Sequence, residues 1–353
     1  MSALRTSERL ALVVVSLLTA VTGVLHYASG VSPTVTFIPA TLALAGLAWL
    51  VSVAVEQVGL RFGPAITGVL HSTVGNLPEF FVVIFALQAG QVVIAQTAIV
   101  GSILVNALLV LGLVLVCGSA VARDSIMRFG PRLPNDTATL LLVASFIIVL
   151  VGVAIASNDP ASRHTRAISV VGALAILVVY AVWVRQYLAS EPAGDPDGRE
   201  PRMGSSFSVG LLIAASLASA FVADWFVAAL NPTVRRLGIS QAFAGLVIVA
   251  IAGNAVENVV GVSTALKGHS DLAISVVKNS VGQLAAFLFP ALVLVSLLTA
   301  SALTFALPPV LIAALFGTAV LVWQITGDGE ATPFEGAALI AAYVIIAAIA
   351  AFK

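Results

Sequence analysis

The chain has 353 residues, 60% of them hydrophobic and only 9% charged, with 16 basic residues balancing 16 acidic ones. A soluble domain carries roughly 25% charged residues and a membrane barrel reads as alternating segments of about 10 residues, so both are excluded. Zero net charge gives no footprint for nucleic acid, and the lone Cys117 rules out an internal disulfide.

Apolar runs of at least about 18 residues can cross a ~30 Å hydrocarbon layer as helices. They predict eleven spans at roughly 10–28, 35–56, 64–88, 92–117, 137–157, 167–188, 207–230, 240–266, 271–299, 303–325 and 333–352. The first run ends near His26 without a small-residue cleavage site and reads as a retained helix. Pro, Gly, Asp and Asn punctuate the gaps, as at Asn231-Pro232 after the seventh span. The polar stretch Glu191 to Arg202 divides the chain near its middle.

The third span contains Gly75-Asn76-Leu77-Pro78-Glu79, and the eighth contains Gly253-Asn254-Ala255-Val256-Glu257. The spans that follow each offer a small polar pair, Gly101-Ser102 and Asn279-Ser280, and the spans before them carry Glu56 and Asp224. An offset of five helices sets the second copy in the opposite sense across the membrane, the inverted-repeat plan of secondary transporters. The expected fold is therefore an all-α integral membrane protein. It has an extra N-terminal helix in 1–34, a five-helix repeat in 35–190, a cytoplasmic linker in 191–206 and an inverted five-helix repeat in 207–353. With the N-terminus in the cytoplasm, ten Lys and Arg fall on that side and five outside, Lys278 lying within the membrane. This bias places the C-terminus outside.

Glu79 and Glu257 sit mid-span, where a carboxylate costs at least about 2.5 kcal/mol. Pro78, Gly75 and Gly253 loosen the helix beside them, freeing backbone oxygens to face a cavity. Oxygen-only ligands suit Ca2+, Mn2+, Mg2+ or Na+, and no His/Cys cluster suggests zinc or copper. A carboxylate withdrawn from water takes up a proton when no cation is bound, so the two compete for the same oxygens, the minimum chemistry of an antiporter. The alternative is a structural polar network. Glu56 and Asp224 read equally as interfacial residues. Ser102, Asn106, Ser280 and Gln283 read equally as bonds across helices. His71 reads as a structural histidine.

The strings His71 to Glu79, Ala86-Leu87-Gln88, Gly101 to Asn106 and Ala252 to Glu257, with Asp271 and Asn279-Ser280, resemble the cation/proton exchanger family, the Ca2+/H+ antiporters of the Ca2+/cation antiporter superfamily. The resemblance covers the chain from about residue 35. It implies one extra helix plus five and five, a cation site of Asn76, Glu79, Asn254 and Glu257, and accessory acids at Glu56 and Asp224. Three differences stand out: Asn258 where members place a His, a short linker of mixed charge, and Lys278. Pairing of Lys278 with Glu79, Glu257 or a wet cavity would weaken a divalent site relative to a monovalent one.

The function expected is Ca2+/H+ exchange by alternating access in a prokaryotic plasma membrane. The alternatives are Na+/H+ exchange on the same fold and a passive cation channel. No enzymatic signature, nucleotide-binding segment or cofactor motif is present. The partners expected are membrane lipid, the transported cations and protons, with Ser102, Asn106, Lys278, Asn279, Ser280 and Gln283 along the cation or proton path.

Overall fold

The computed structural model describes residues 4–62, 70, 74–190 and 201–352. Helix α1 spans Thr6–Tyr27 and α2 spans Pro33–Gly59. The short α3, Leu77–Gln88, follows, and then α4, Val92–Val121. Helices α5, Arg132–Ala156, and α6, Thr165–Ser190, close the first half. The second half runs through α7, Ser205–Leu237, α8, Gln241–Gly253, α9, Ala255–Leu266, α10, Ser270–Leu298, α11, Pro309–Thr326, and α12, Pro333–Ala351.

Among the described residues, nine helices are long and apolar enough to cross a membrane, and ten if α8 and α9, bent by 59° at their junction, are counted as one span. The eleventh expected span, 64–88, is seen only as α3, because residues 63–69 and 71–73, including His71, lie outside the described residues. So does most of the expected linker, residues 191–200.

A similar order recurs in the two halves: a long helix, a short one that starts at an asparagine cap (α3 and α9), a long one with an inserted π-turn, then two more. The π-turns fall at Val105–Val110 in α4 and Leu284–Leu288 in α10, with a third at Ala244–Val249 in α8. Helices α2 and α7, which lead the two halves, pack along one another, with Phe37 stacked on Phe226 at 5.3 Å. Helix α1 stands outside this repetition. It touches α2 and α7 but exposes Leu10, Val13, Val14, Leu17 and Val21. Those side chains can face lipid without loss, since the bilayer is as apolar as they are.

One expectation is corrected here. The seventh span does not stop before Asn231-Pro232: α7 runs through Pro232 to Leu237 and ends on Gly238, whose φ of +67° suits glycine. Thr233 donates its hydroxyl to the Ala229 carbonyl at 2.7 Å, next to the Ala228 carbonyl that Pro232 leaves without its helical donor. At about 50 Å, α7 is longer than the hydrocarbon layer and extends past it. In addition to the helices, a two-residue antiparallel ribbon, β1 at Met127–Arg128 and β2 at Glu330–Ala331, joins the α4–α5 and α11–α12 loops.

Candidate cation site

Both signature strings fall at breaks in the backbone. Asn76 caps α3 with φ −88° and ψ 13°, and Asn254 caps α9 with φ −95° and ψ 23°. Both asparagine carbonyls accept from the amide four residues on, Phe80 at 3.0 Å and Asn258 at 3.1 Å. Glu79 and Glu257 thus occupy the same place in the first turn of their helices. A carboxylate is favoured there by the positive end of the helix dipole. Pro78 sits in that first turn, where its missing N–H has no helical partner to lose.

Asn76, Glu79, Asn254 and Glu257 are all buried, none more than 7% exposed. Glu79 lies against the opposite break: a Cβ placed on Gly253 would stand 3.0 Å from its Oε1 and 3.1 Å from its Cγ. Glu257 is near enough to Glu79 for their like charges to interact. A chain of hydrogen bonds ties α4, the α8–α9 break and α10 together. Asn106 Nδ2 donates to Asn254 Oδ1 at 2.6 Å and to Ser280 Oγ at 3.0 Å. Asn254 Nδ2 donates to Ser102 Oγ at 2.9 Å and to the Ala250 carbonyl at 2.8 Å. Asn106 lies within the π-turn of α4, a device common at functional sites.

Close packing of small residues makes this network possible. Gly101 meets the backbone of Leu246, where a Cβ would come within 2.7 Å of both Cα and the carbonyl oxygen. Gly245 faces Thr97 across the same α4–α8 contact.

Several buried oxygens in this region accept from no donor among the described residues: Glu79 Oε2, Asn106 Oδ1, Asn258 Oδ1 and Asn279 Oδ1. Buried acceptors are nearly always satisfied, so orphaned ones mark a place for something electropositive. Among the described residues no three His, Cys, Asp or Glu side chains cluster as a metal site. A cation here would need the two carboxylates together with amide, hydroxyl and carbonyl oxygens, a donor set suited to hard cations. Gln283 is buried, and Asn279 is half-buried.

Three expected participants stand apart. Glu56 and Asp224 are exposed, on α2 and α7. Lys278 is fully buried, but its ammonium donates to Thr326 Oγ1 on α11 at 3.1 Å, and no carboxylate lies within ion-pair distance among the described residues. The reason is rotational: positions 278 and 280 differ by about 200° around a helix, so with Ser280 turned to Asn106, Lys278 faces away. Gly253 and Thr326 were not singled out as contacts, and only the GNxxE spacing hinted at the first.

The sodium/calcium exchanger protein family matches residues 32–186 and 207–352, most of the chain in two blocks. The chain belongs to that family. The vacuolar calcium ion transporter of Schizosaccharomyces pombe is 33% identical over 321 residues, covering 88% of this chain and 77% of that one. The Ca2+/H+ antiporter ChaA of Bacillus subtilis is 31% identical over 303 residues, 83% of this chain and 85% of the relative. The solved structure of native YfkE superposes with a TM-score of 0.79 at 26% identity, covering 97% of this chain and all of the other. The H+/Ca2+ exchanger CAX shares the fold, with a TM-score of 0.76 at 18% identity over 98% of this chain and 93% of that one. This family member is an integral membrane protein of transporter type, with the relatives' fold.

Proposed function

We propose that this protein exchanges Ca2+ for protons across its membrane, with Asn76, Glu79, Asn254 and Glu257 as the central cation ligands. The observation that carries the reading is the pair of matching Asn-capped breaks, each with a buried glutamate in its first turn and one glutamate packed on the opposite break. Buried oxygens without donors support it, as do relatives named for Ca2+/H+ exchange.

In this reading the cation replaces its water shell with carboxylate, amide and hydroxyl oxygens. When it leaves, the glutamates take up protons, because two bare carboxylates in a dry site repel each other. Neither occupant can cross without displacing the other, which couples the two fluxes. Ser102, Asn106 and Ser280 hold Asn254 in place, and Asn279 and Gln283 line the approach from α10. Glu56 and Asp224, being exposed, serve as relay acids towards the two membrane faces. The repeats are taken as 35–190 and 207–353, related by inversion, with the N-terminus and the linker in the cytoplasm. The two matched blocks of the family fit this division.

Exchange of Na+ drew its support from a lysine offsetting one carboxylate. With Lys278 bonded to Thr326, that support is gone.

The test is proton flux in liposomes holding the purified protein under an imposed pH gradient. Ca2+ should dissipate the gradient in the wild type and fail to do so in Glu257→Gln. Dissipation by Na+ alone, or by Ca2+ in both proteins, would contradict the assignment.

A further inference from the structure

At the end of the bundle where α1 starts and α2 stops, four arginines gather around a small buried scaffold. Glu8, only 6% exposed, accepts from the Arg5 amide at 2.7 Å and from Arg202 Nη2 at 2.9 Å and Nη1 at 3.3 Å. Gln57, 1% exposed, accepts through Oε1 from the amides of Arg202 at 2.8 Å and Met203 at 3.3 Å. Arg61 Nη2 donates to the Met203 carbonyl at 2.5 Å, and Arg9 Nε donates to the Leu4 carbonyl at 3.1 Å.

These bonds fix the arginines without neutralising them. Arg202 shares Glu8, but Arg9 and Arg61 have no carboxylate partner among the described residues. Each spends one of its five N–H donors on a carbonyl and keeps the rest. All four arginines are exposed. Among the described residues, Glu8 and, on the last turn of α2, the exposed Glu56 stand against them, leaving two positive charges in surplus. Directly along α1 from this cluster lie the exposed Leu10, Val13, Val14 and Leu17, so the charged end borders an apolar, lipid-facing wall.

We propose that this cluster binds the headgroup of an anionic phospholipid, its phosphate held by Arg9 and Arg61 with Arg5 and Arg202 beside them and its acyl chains along α1. Guanidinium groups with free forked donors match phosphate oxygens, and basic clusters at a helix end attract anionic lipid. The apolar wall is what favours a lipid over a soluble anion, which would have no use for it. Glu8 and Gln57 supply rigidity: the arginines are placed before the lipid arrives, which lowers the ordering cost of binding.

The experiment uses the full-length protein in neutral detergent, with phosphatidylglycerol, phosphatidylcholine and inorganic phosphate as separate probes. Lipid adducts by native mass spectrometry and the thermal midpoint are the two readouts. Arg9→Gln combined with Arg61→Gln removes only the unpaired charges and leaves Glu8 with Arg202. Phosphatidylglycerol should bind and raise the midpoint, phosphatidylcholine and phosphate should not, and the double variant should bind phosphatidylglycerol about thirtyfold more weakly. An unchanged midpoint of the variant without lipid shows that it is folded. Equal binding of the two lipids, full binding by the variant, or an equal effect of phosphate would each overturn the proposal. So would lipid binding that appears only after Asp195→Asn, Asp197→Asn and Glu200→Gln, because carboxylates of the chain's own linker would then hold the arginines.

Discussion

Gly253 shows how much of the site depends on a single missing side chain. Its place beside Glu79 leaves about 3 Å to the carboxylate, so Gly253→Ala puts a methyl group where the glutamate lies. A glutamate side chain can swing aside, unlike a backbone, so the fold should survive. The expected result is a cation affinity lowered about tenfold, near 1.4 kcal/mol, with little change in the thermal midpoint. Isothermal titration of Ca2+ beside a melting curve checks both parts. The four signature residues were legible in the sequence, because a string of amide and carboxylate side chains is costly inside an apolar span, and this one recurs in two. The partners of Asn254 were legible only as candidates: Ser102, Asn106 and Ser280 could equally have bonded elsewhere. Their selection depends on how closely α4 and α8 approach, and the Gly101–Leu246 contact sets that distance.

A helix read from hydropathy has a depth but no facing direction, and that accounts for the misplacement of Lys278. The sequence puts it inside an apolar span, and its side chain is indeed buried, yet only the bond from Asn106 to Ser280 fixes the rotation that turns Lys278 to Thr326. The α10–α11 contact therefore carries a prediction of its own. Thr326→Val strands a buried amine and should cost about 1–3 kcal/mol of stability. Lys278→Met, similar in length and uncharged, should be neutral or stabilising. Both should retain Ca2+-driven proton flux, which liposome assays and thermal melts would compare. Helix ends were legible where glycine or the Asn caps stop the chain, but Pro232 misled, since α7 absorbs it. The π-turns left no trace in composition, because one extra residue in a turn changes no residue type. At the α4–α8 seam, Gly101→Ala drives a Cβ into the Leu246 backbone and should destabilise by about 1–3 kcal/mol while weakening cation binding. Gly210→Ala on α7, with open space around it, is the control: it should leave cation binding unchanged and, if anything, stabilise the helix by about 0.5–1 kcal/mol.

Across the whole molecule, the ribbon of β1 and β2 is the feature that no apolar pattern announced, since its two strands lie some two hundred residues apart. Arg128 joins Asp124 at 2.7 Å and Glu330 at 3.1 Å on its surface. The hydrogen bond from Arg128 holds the Asp124 carboxyl below the usual carboxylate range. A lowered carboxyl contributes to stability above its unfolded value and loses that contribution as pH falls through its folded value. The ribbon should therefore keep this contact under mildly acidic conditions. In Arg128→Gln the Asp124 titration, followed by carboxyl NMR, should move up towards the ordinary range, and high salt should shift the wild type the same way. The contact is fully exposed, so global stability should hardly respond.

The twin Asn caps, alike in backbone angles to within about 10° and set in halves that repeat the same order, carry a consequence for energetics. A carrier whose two faces offer near-equivalent approaches has end states of similar free energy and no ratchet of its own. Net flux then follows whichever chemical potential is steeper, and the same molecule in a reversed pH gradient would run backwards at a comparable rate. Any preference for one direction must come from where the halves differ, as at Pro78 against Val256, or from what the surrounding membrane supplies.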